Sequence, residues 1–547
     1  MSIPLCQVYF RRYLVKKNFI YKCYRLELIF HTLKTYNYKL KLELIKTKTY
    51  NIPNFVIKRP KTKIVCTLGP STSSVTKIKQ LIKSGMSVAR LNLSHGDNNE
   101  HKKLIKNARL ASEELNFPLA ILADIPGPKY RIGKINSGEY LELVKGSEII
   151  FENQTNSPNS KSINIWPNGF TKNLKVGSKI LIDEGSIEMR LLSVKENTIN
   201  CKVTSGGKLQ SNKSITVPGH TQNIDYFSPE TLDAIEFVKS SDIDYIGLSF
   251  IRNSKDLIEI KNKLKDMNKT LKLISKIEIE QAIENLEEII CNSDGVMVAR
   301  GDLGVEIPFE KVPELQKRII KMANTYGKPV ITATQMLESM IEKPNPTRAE
   351  VNDVHNAVID GTDAVMLSAE TSIGNHPIKA VKAMAKIAKT SEKYLDKISI
   401  ANRKSNFIHN NNLDVDDAIA LSSCNLSNSI KSKGLFAFTE SGSTASRVAS
   451  FRPNASIIAL CSTYDVCKNL SLNWGIIPIK VKSLSRVQDM FREGSKIAIE
   501  TGIGKIDDLI VIVLGLPIGQ PGNTNLLRVI KLPESEKNEE NFGYGAF

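Results

Sequence analysis

From Lys61 onward, short apolar runs of strand length alternate with longer stretches in which apolar residues recur at helical spacing. That alternation is the pattern of parallel βαβ units, whose strands are buried on both faces. Eight runs can be counted: Thr62–Pro70, Val88–Gly96, Leu119–Pro126, Tyr245–Arg252, Leu271–Glu278, Gly295–Gly304, Pro329–Leu337 and Ala364–Thr371. Eight strands with helices between most of them predict a (β/α)8, or TIM, barrel. An open doubly wound sheet is the alternative, but it does not call for polar residues at the C-terminal end of every run.

Two regions break this rhythm. Residues 132–220 read as short strands separated by Gly, Asn and Ser turns, among them Tyr140–Val144, Lys179–Ile182 and Thr198–Val203. This predicts a small β-barrel inserted between the third and fourth strands, where insertions commonly act as lids. After Lys393 the pattern restarts with a helix over Asp416–Ser429 and strands at Gly434–Thr439, Ser456–Cys461, Gly475–Val481 and Leu509–Leu514. That is a separate three-layer α/β domain over 394–533, followed by a charged tail, 534–547, expected to be disordered. The barrel is then assembled from 59–131 and 221–393. No internal repeat is visible.

A chain of 547 residues is too long for one core and calls for about three or four domains. Its 41% hydrophobic and 24% charged residues are ordinary for a globular protein. No apolar run reaches the ~18 residues of a membrane span. The eight cysteines form no CxxC pair and have no His-rich spacing, so they read as reduced thiols without a zinc site. The net charge of +18 would suggest a nucleic-acid partner, but residues 1–58 hold twelve Lys and Arg against Glu27 and Glu43 alone. More than half of the excess therefore lies in this extension, and nucleic-acid binding is not expected of the rest. A basic, acid-poor segment resembles an organellar targeting sequence, plastid-like or mitochondrial. A basic tail on a cytoplasmic protein is the alternative.

Barrel enzymes place their chemistry where strands end. The second run delivers Arg90, Asn92 and Ser94 on one face, with His95 next to them; the third ends in Asp124, followed by Lys129 and Arg131. The fifth gives Lys276 and Glu278, the sixth Arg300 and Asp302, the seventh Thr334, and the eighth Glu370. Any one of these could be an ion pair sealing the barrel. As a set, cations, carboxylates and hydroxyls at strand ends suggest a polyanionic substrate with a metal. Oxygen ligands without Cys or clustered His favour Mg²⁺ or Mn²⁺. Gly301 opens a helix whose N–H groups could approach a carboxylate. Neither a P-loop nor a Gly-rich kinase loop occurs.

These strings closely resemble the pyruvate kinase family: Lys63–Pro70, Ser84–Gly96, Ile274–Glu278, Met297–Pro308, Ala333–Ser339, Lys343–Glu350 and Met366–Thr371 appear in the family's order. The resemblance runs from about Arg59 to about Leu532 and implies transfer of phosphate from phosphoenolpyruvate to ADP, usually in a homotetramer. It implies that Arg90 holds the substrate phosphate, that Glu278 and Asp302 bind Mg²⁺, and that Lys276 stabilises the phosphoryl group in flight. It implies that Gly301, Asp302 and Thr334 cradle the substrate carboxylate, that Arg300 belongs to the catalytic group, and that Asn92, His95, Arg131 and Lys213 meet nucleotide.

The family's monovalent-cation site would use Asn92, Ser94, Asp124 and the Ile125 carbonyl. One position departs: potassium-dependent members have Glu where this chain has Lys129, and Ile125-Pro126 replaces their usual Thr-Lys. The resemblance therefore implies an ammonium in place of potassium. In the last domain, Thr439, Glu440, Ser441, Gly442, Ser443 and Thr444 resemble the family's effector phosphate loop, while the C-terminal loop Gly519–Asn525 lacks the Trp and Arg associated with fructose-1,6-bisphosphate. A sugar monophosphate, or no effector, is the expectation. A Mg²⁺-dependent lyase or aldolase in a similar barrel, and a non-catalytic relative, are the competing readings. The lid and Lys276 favour the kinase over the first, and retention of Lys276, Glu278, Asp302 and Thr334 argues against the second.

Overall fold

The computed structural model describes residues 52–532 apart from 136–139, 154–161, 220–223, 268–270, 409–413 and 521. The basic extension lies outside the described residues up to 51, and the charged tail lies wholly outside them. Residues 52–58 are described, and they pack: the helical turn Asn54–Ile57 buries Val56 in the main core. The barrel's packing thus begins before residue 59.

Eight parallel strands close into one barrel: β1 (Lys63–Thr67), β2 (Val88–Asn92), β3 (Ala120–Ile125), β4 (Tyr245–Leu248), β5 (Lys272–Ile277), β6 (Gly295–Ala299), β7 (Val330–Ala333) and β8 (Ala364–Leu367). Each is shorter than its sequence run. The sixth run is counted to Gly304 although Gly301 reads as a helix start, and the helix reading holds, with Arg300–Glu306 helical; the eighth run turns into helix Ala369–Ser372. Apolar runs mark burial, and a buried helix start cannot be told from a strand end by periodicity alone.

Alternation along the strands decides where the chemistry lies. Val65, Val88, Leu122, Ile274, Met297, Ile331 and Met366 fill the barrel interior with Leu472, which comes from the C-terminal domain. Two residues further along each strand the same parity returns inward. On β1, β2, β3 and β5 those positions are Thr67, Arg90, Asp124 and Lys276, all buried, while β6 and β7 present Ala299 and Ala333 there. One side of the interior is thus capped at its C-terminal end by polar side chains.

Between β3 and β4 lies the expected insertion, a seven-stranded sheet with a separate two-stranded ribbon. Its edges meet through an Arg131–Ser214 bridge, with Ile132 N donating to Lys213 O at 2.9 Å and Ile215 N to Tyr130 O at 3.1 Å. The sheet curls around its own core of Phe151, Phe170, Ile180 and Met189.

The C-terminal domain has β9 (Gly434–Thr439), β10 (Ser456–Cys461), β11 (Ile476–Lys480), β12 (Leu509–Leu514) and β13 (Leu526–Lys531) in the order β11-β10-β9-β12-β13, with β13 antiparallel. Alternate residues of β9 enter separate cores on its two faces, Leu435 and Ala437 in one, Phe436 and Phe438 in the other. Those two cores make the three layers.

Candidate active site

The polar cap is a connected charge network. Arg90 Nε donates to Asp124 Oδ2 at 2.8 Å and its Nη1 to Thr67 Oγ1 at 3.0 Å. Lys276 Nζ lies 2.8 Å from Glu278 Oε1 and 3.1 Å from Asp124 Oδ1, and donates to Ser249 Oγ at 2.7 Å. Burial lowers the pKa of Lys276, but Asp124 and Glu278 outweigh it and raise the value above that of an ordinary lysine. Burial also opposes ionisation of Asp124, and Lys276 with Arg90 overcomes it and holds the carboxyl below its usual range.

Glu278 is fully buried just past β5. Its Oε2 accepts from Phe250 N at 2.7 Å, a residue held at φ 57°. Its Oε1 faces the Lys276 ammonium but accepts no well-formed hydrogen bond. Burial, and the charge of Asp302 after it, push the Glu278 carboxyl up against the pull of Lys276. Asp302, on the first turn of helix Arg300–Glu306, is also penalised by burial, but Lys129 and Lys276 keep it below its usual range. Lys129 Nζ sits 2.6 Å from Asp302 Oδ1 and over the Phe250 ring at 5.2 Å. A divalent cation fits this pair: one carboxylate has an under-used buried oxygen, and the two raise each other's cost of ionisation. Among the described residues no cluster of three or more His, Cys, Asp or Glu could hold a metal alone. Mg²⁺ takes one or two carboxylates and completes its shell with water and substrate oxygens, so Glu278 and Asp302 would be enough to hold it.

Thr334 follows β7 at φ 66°, and Gln335 at 52°. Left-handed backbone at a β-branched residue costs about 1–3 kcal/mol, so surrounding contacts must impose it. Gly301 N donates to Thr334 Oγ1 at 2.8 Å, and Arg300 Nη2 donates to the Thr334 carbonyl at 2.6 Å. Arg300 is otherwise held by Asp353 on helix Arg348–Asp360, at 2.7 and 2.8 Å. The expected catalytic arginine thus faces an outer helix and fixes the Thr334 turn; it makes no contact with Lys276 or Glu278.

The remaining expected residues lie around the rim. Asn92 Oδ1 accepts from Ser94 N at 3.3 Å, and His95 follows in the same exposed loop. On the lid, Arg131 donates to Asn212 O at 3.1 Å and Lys213 pairs with Asp183 at 2.9 Å. Ile125 is the buried last residue of β3. In the C-terminal domain, Gly442 N donates to Thr439 Oγ1 at 2.9 Å, where helix Ser443–Ser450 begins, and Thr444 and Thr524 hydroxyls meet at 3.0 Å. Thr439, Glu440, Ser441, Ser443 and Thr444 line one cleft with Lys482.

Three contributors were not anticipated. Ser249 ties Lys276, Asp353 ties Arg300, and Glu306 carries a carboxyl that burial raises to about 7, near Lys129 and Asp302. An acid inside the apolar string Val305-Glu306-Ile307 was a readable signal; Asp353 on a half-exposed helix face offered none.

A closed barrel, an inserted lid and a buried network of fixed charge at the strand ends are the parts of a phosphotransferase. Residues 59–381 match the family model described as pyruvate kinase, barrel domain, and 417–530 that described as pyruvate kinase, alpha/beta domain. The pyruvate kinase of Bacillus licheniformis is 40% identical over 472 residues, 86% of this chain and 80% of that protein. That of Geobacillus stearothermophilus gives the same figures, and that of Staphylococcus aureus strain MRSA252 is 37% identical over 488 residues, 89% and 83% of the two chains. The chain belongs to the pyruvate kinase family.

Proposed function

We propose that the mouth of the barrel moves the phosphoryl group of phosphoenolpyruvate onto ADP, giving pyruvate and ATP in the last step of glycolysis. One observation carries this reading: a buried ammonium, Lys276, is kept charged by Asp124 and Glu278 at the end of the barrel. A phosphoryl group in flight spreads negative charge over its oxygens, and a fixed cation in a dry site costs no reorganisation to meet it. Arg90 would bind the substrate phosphate from the neighbouring strand. Glu278 and Asp302 would hold Mg²⁺, with Mn²⁺ as a substitute, and the ion would bridge and neutralise phosphate oxygens. The N–H groups of Gly301 and Asp302 and the Thr334 hydroxyl would orient the substrate carboxylate, with Thr334 near the carbon that is protonated. Asn92, His95, Arg131 and Lys213 would meet the nucleotide as the lid closes.

Lys276→Met should lower ADP-dependent pyruvate formation in Mg²⁺ by about 10²–10³-fold, the scale for loss of one electrostatic stabiliser. Equal rates in both proteins would sink the mechanism. Phosphoenolpyruvate consumed without ADP would favour a lyase instead.

The same reading extends to activity without potassium. Both Asp124 oxygens are engaged, by Arg90 and by Lys276, which leaves the Asn92, Ser94, Asp124 and Ile125 set little to offer a weak cation. Lys129 supplies a positive charge at Asp302. KCl added at constant ionic strength leaves screening unchanged, so turnover should stay within about twofold; a large rise would contradict the reading. The hydroxyls and N–H groups of the Thr439–Thr444 loop would take a sugar monophosphate, in a homotetramer. The composition of residues 1–58 supports delivery to an organelle, which a fluorescent fusion of that segment would test; a diffuse cytosolic signal would remove this claim.

A further inference from the structure

The end of β2 and the loop after it carry Asn92, Ser94 and His95, and the loop ends at Asp97, the cap of helix Asn98–Glu114. Asp97 Oδ1 accepts from Asn99 N at 2.8 Å and Glu100 N at 2.9 Å, while the Glu100 carboxylate accepts from Asp97 N at 3.4 Å. This reciprocal cap fixes the first helical turn. The next residue, His101, is buried, and its Nε2 lies 2.9 Å from the His95 carbonyl oxygen. A carbonyl can only accept, so Nε2 carries the proton and the ring is the neutral Nε2–H tautomer. Its Nδ1 is buried with no partner, and burial first among its surroundings depresses the ring's pKa, both of which suit an unprotonated Nδ1. The ring packs edge-on against Phe237 at 5.9 Å, which fixes its direction.

The loop has little else to hold it. Ser94, His95 and Gly96 are exposed, and the bonds within the loop, Ser94 N to Asn92 Oδ1 and His95 N to Asn92 O, are both long at 3.3 Å. Leu93 N to Asp124 O at 2.9 Å anchors its start. At its other end Gly96 is left-handed at φ 81°, and a Cβ there would lie 2.8 Å from Glu100 Oε2. His101 therefore supplies the short bond from below at the middle of the segment, and it sets the plane of the peptide after His95.

We propose that His101 is a positioning residue for nucleotide: its Nε2–H holds the His95 carbonyl and thereby aims the Asn92–His95 loop at ADP. This rests on the nucleotide role assigned to that loop above. His101→Ala should speed amide hydrogen exchange at residues 93–96 alone and raise the KM for ADP about three- to tenfold, the range expected from losing one buried hydrogen bond. The KM for phosphoenolpyruvate and the kcat at saturating ADP should stay within about twofold, since the loop would act on nucleotide alone. His101→Gln, whose amide N–H can reach the same carbonyl, should restore both readouts. Unchanged loop exchange in His101→Ala, an unchanged KM for ADP, or no rescue in a folded His101→Gln would each overturn the proposal. His95→Ala separates the two levels. If it raises the KM for ADP where His101→Ala does not, only the positioning role falls; if neither raises it, the nucleotide role of the loop falls as well.

Discussion

Glu306 is a residue whose environment conflicts with its chemistry. Burial raises its carboxyl from 4.5 to about 7, and the Gly219 backbone N–H and the Lys129 charge only partly offset this. A folded pKa above the unfolded one means that folding takes up a proton between those values. The stability this contributes is full below about pH 4.5 and is lost as pH climbs through 7. In Glu306→Gln that dependence should vanish, so the variant's thermal midpoint should gain on wild type from pH 5 to pH 8. The ceiling of the gain is about 3 kcal/mol, at about 1.4 kcal/mol per pKa unit. Parallel curves for the two proteins would show that Glu306 does not titrate in that window.

At the scale of elements, the Thr334 turn after β7 is shaped by an outer helix through a single arginine. Asp353 on helix Arg348–Asp360 pairs with Arg300, and Arg300 in turn grips the Thr334 carbonyl. Asp353→Asn should lower kcat about tenfold with little change in substrate KM, because a slightly misplaced Thr334 hydroxyl costs the reacting geometry first. Steady-state kinetics would check this, and a rise in KM alone would refute it. The chain announced its eight strands because buried parallel strands are nearly continuous apolar runs. It announced Lys276, Glu278 and Asp302 because charge at the end of such a run has few structural excuses. It placed a helix start at Gly301 but not the exact residue where strand gives way, Arg300, since apolar positions continue through Leu303 and Val305. Nor could it announce that Arg300 turns outward, since that is decided by Asp353, fifty-three positions away. Long-range pairs of this kind have no local signature, whereas inward parity along a strand does.

Across the whole molecule, the C-terminal domain is coupled to the barrel floor through buried charge. Arg452 pairs with Asp363 at 3.1 Å, donates to the Gly361 carbonyl at 2.7 Å and lies over Trp474 at 4.9 Å. Asp363 directly precedes β8, and its second role is to accept from Trp474 N at 3.2 Å. Removing one partner of a buried pair strands the other and costs about 3–5 kcal/mol. Arg452→Met should therefore split one calorimetric unfolding transition into two, with the C-terminal domain melting first. A single transition at an unchanged midpoint would mean that apolar packing, such as Leu472 against the barrel interior, couples the domains without help.

The lid enters and leaves the barrel side by side, with Arg131 bridged to Ser214 and Tyr130 bonded to Ile215. Its two ends are thus already joined before the rest of it is counted. From the barrel's side, more than eighty residues are equivalent to a tight turn, so the insertion can lengthen, shrink or be exchanged without disturbing a single barrel strand. The barrel and its insertion are, in that sense, two heritable parts free to change at different rates.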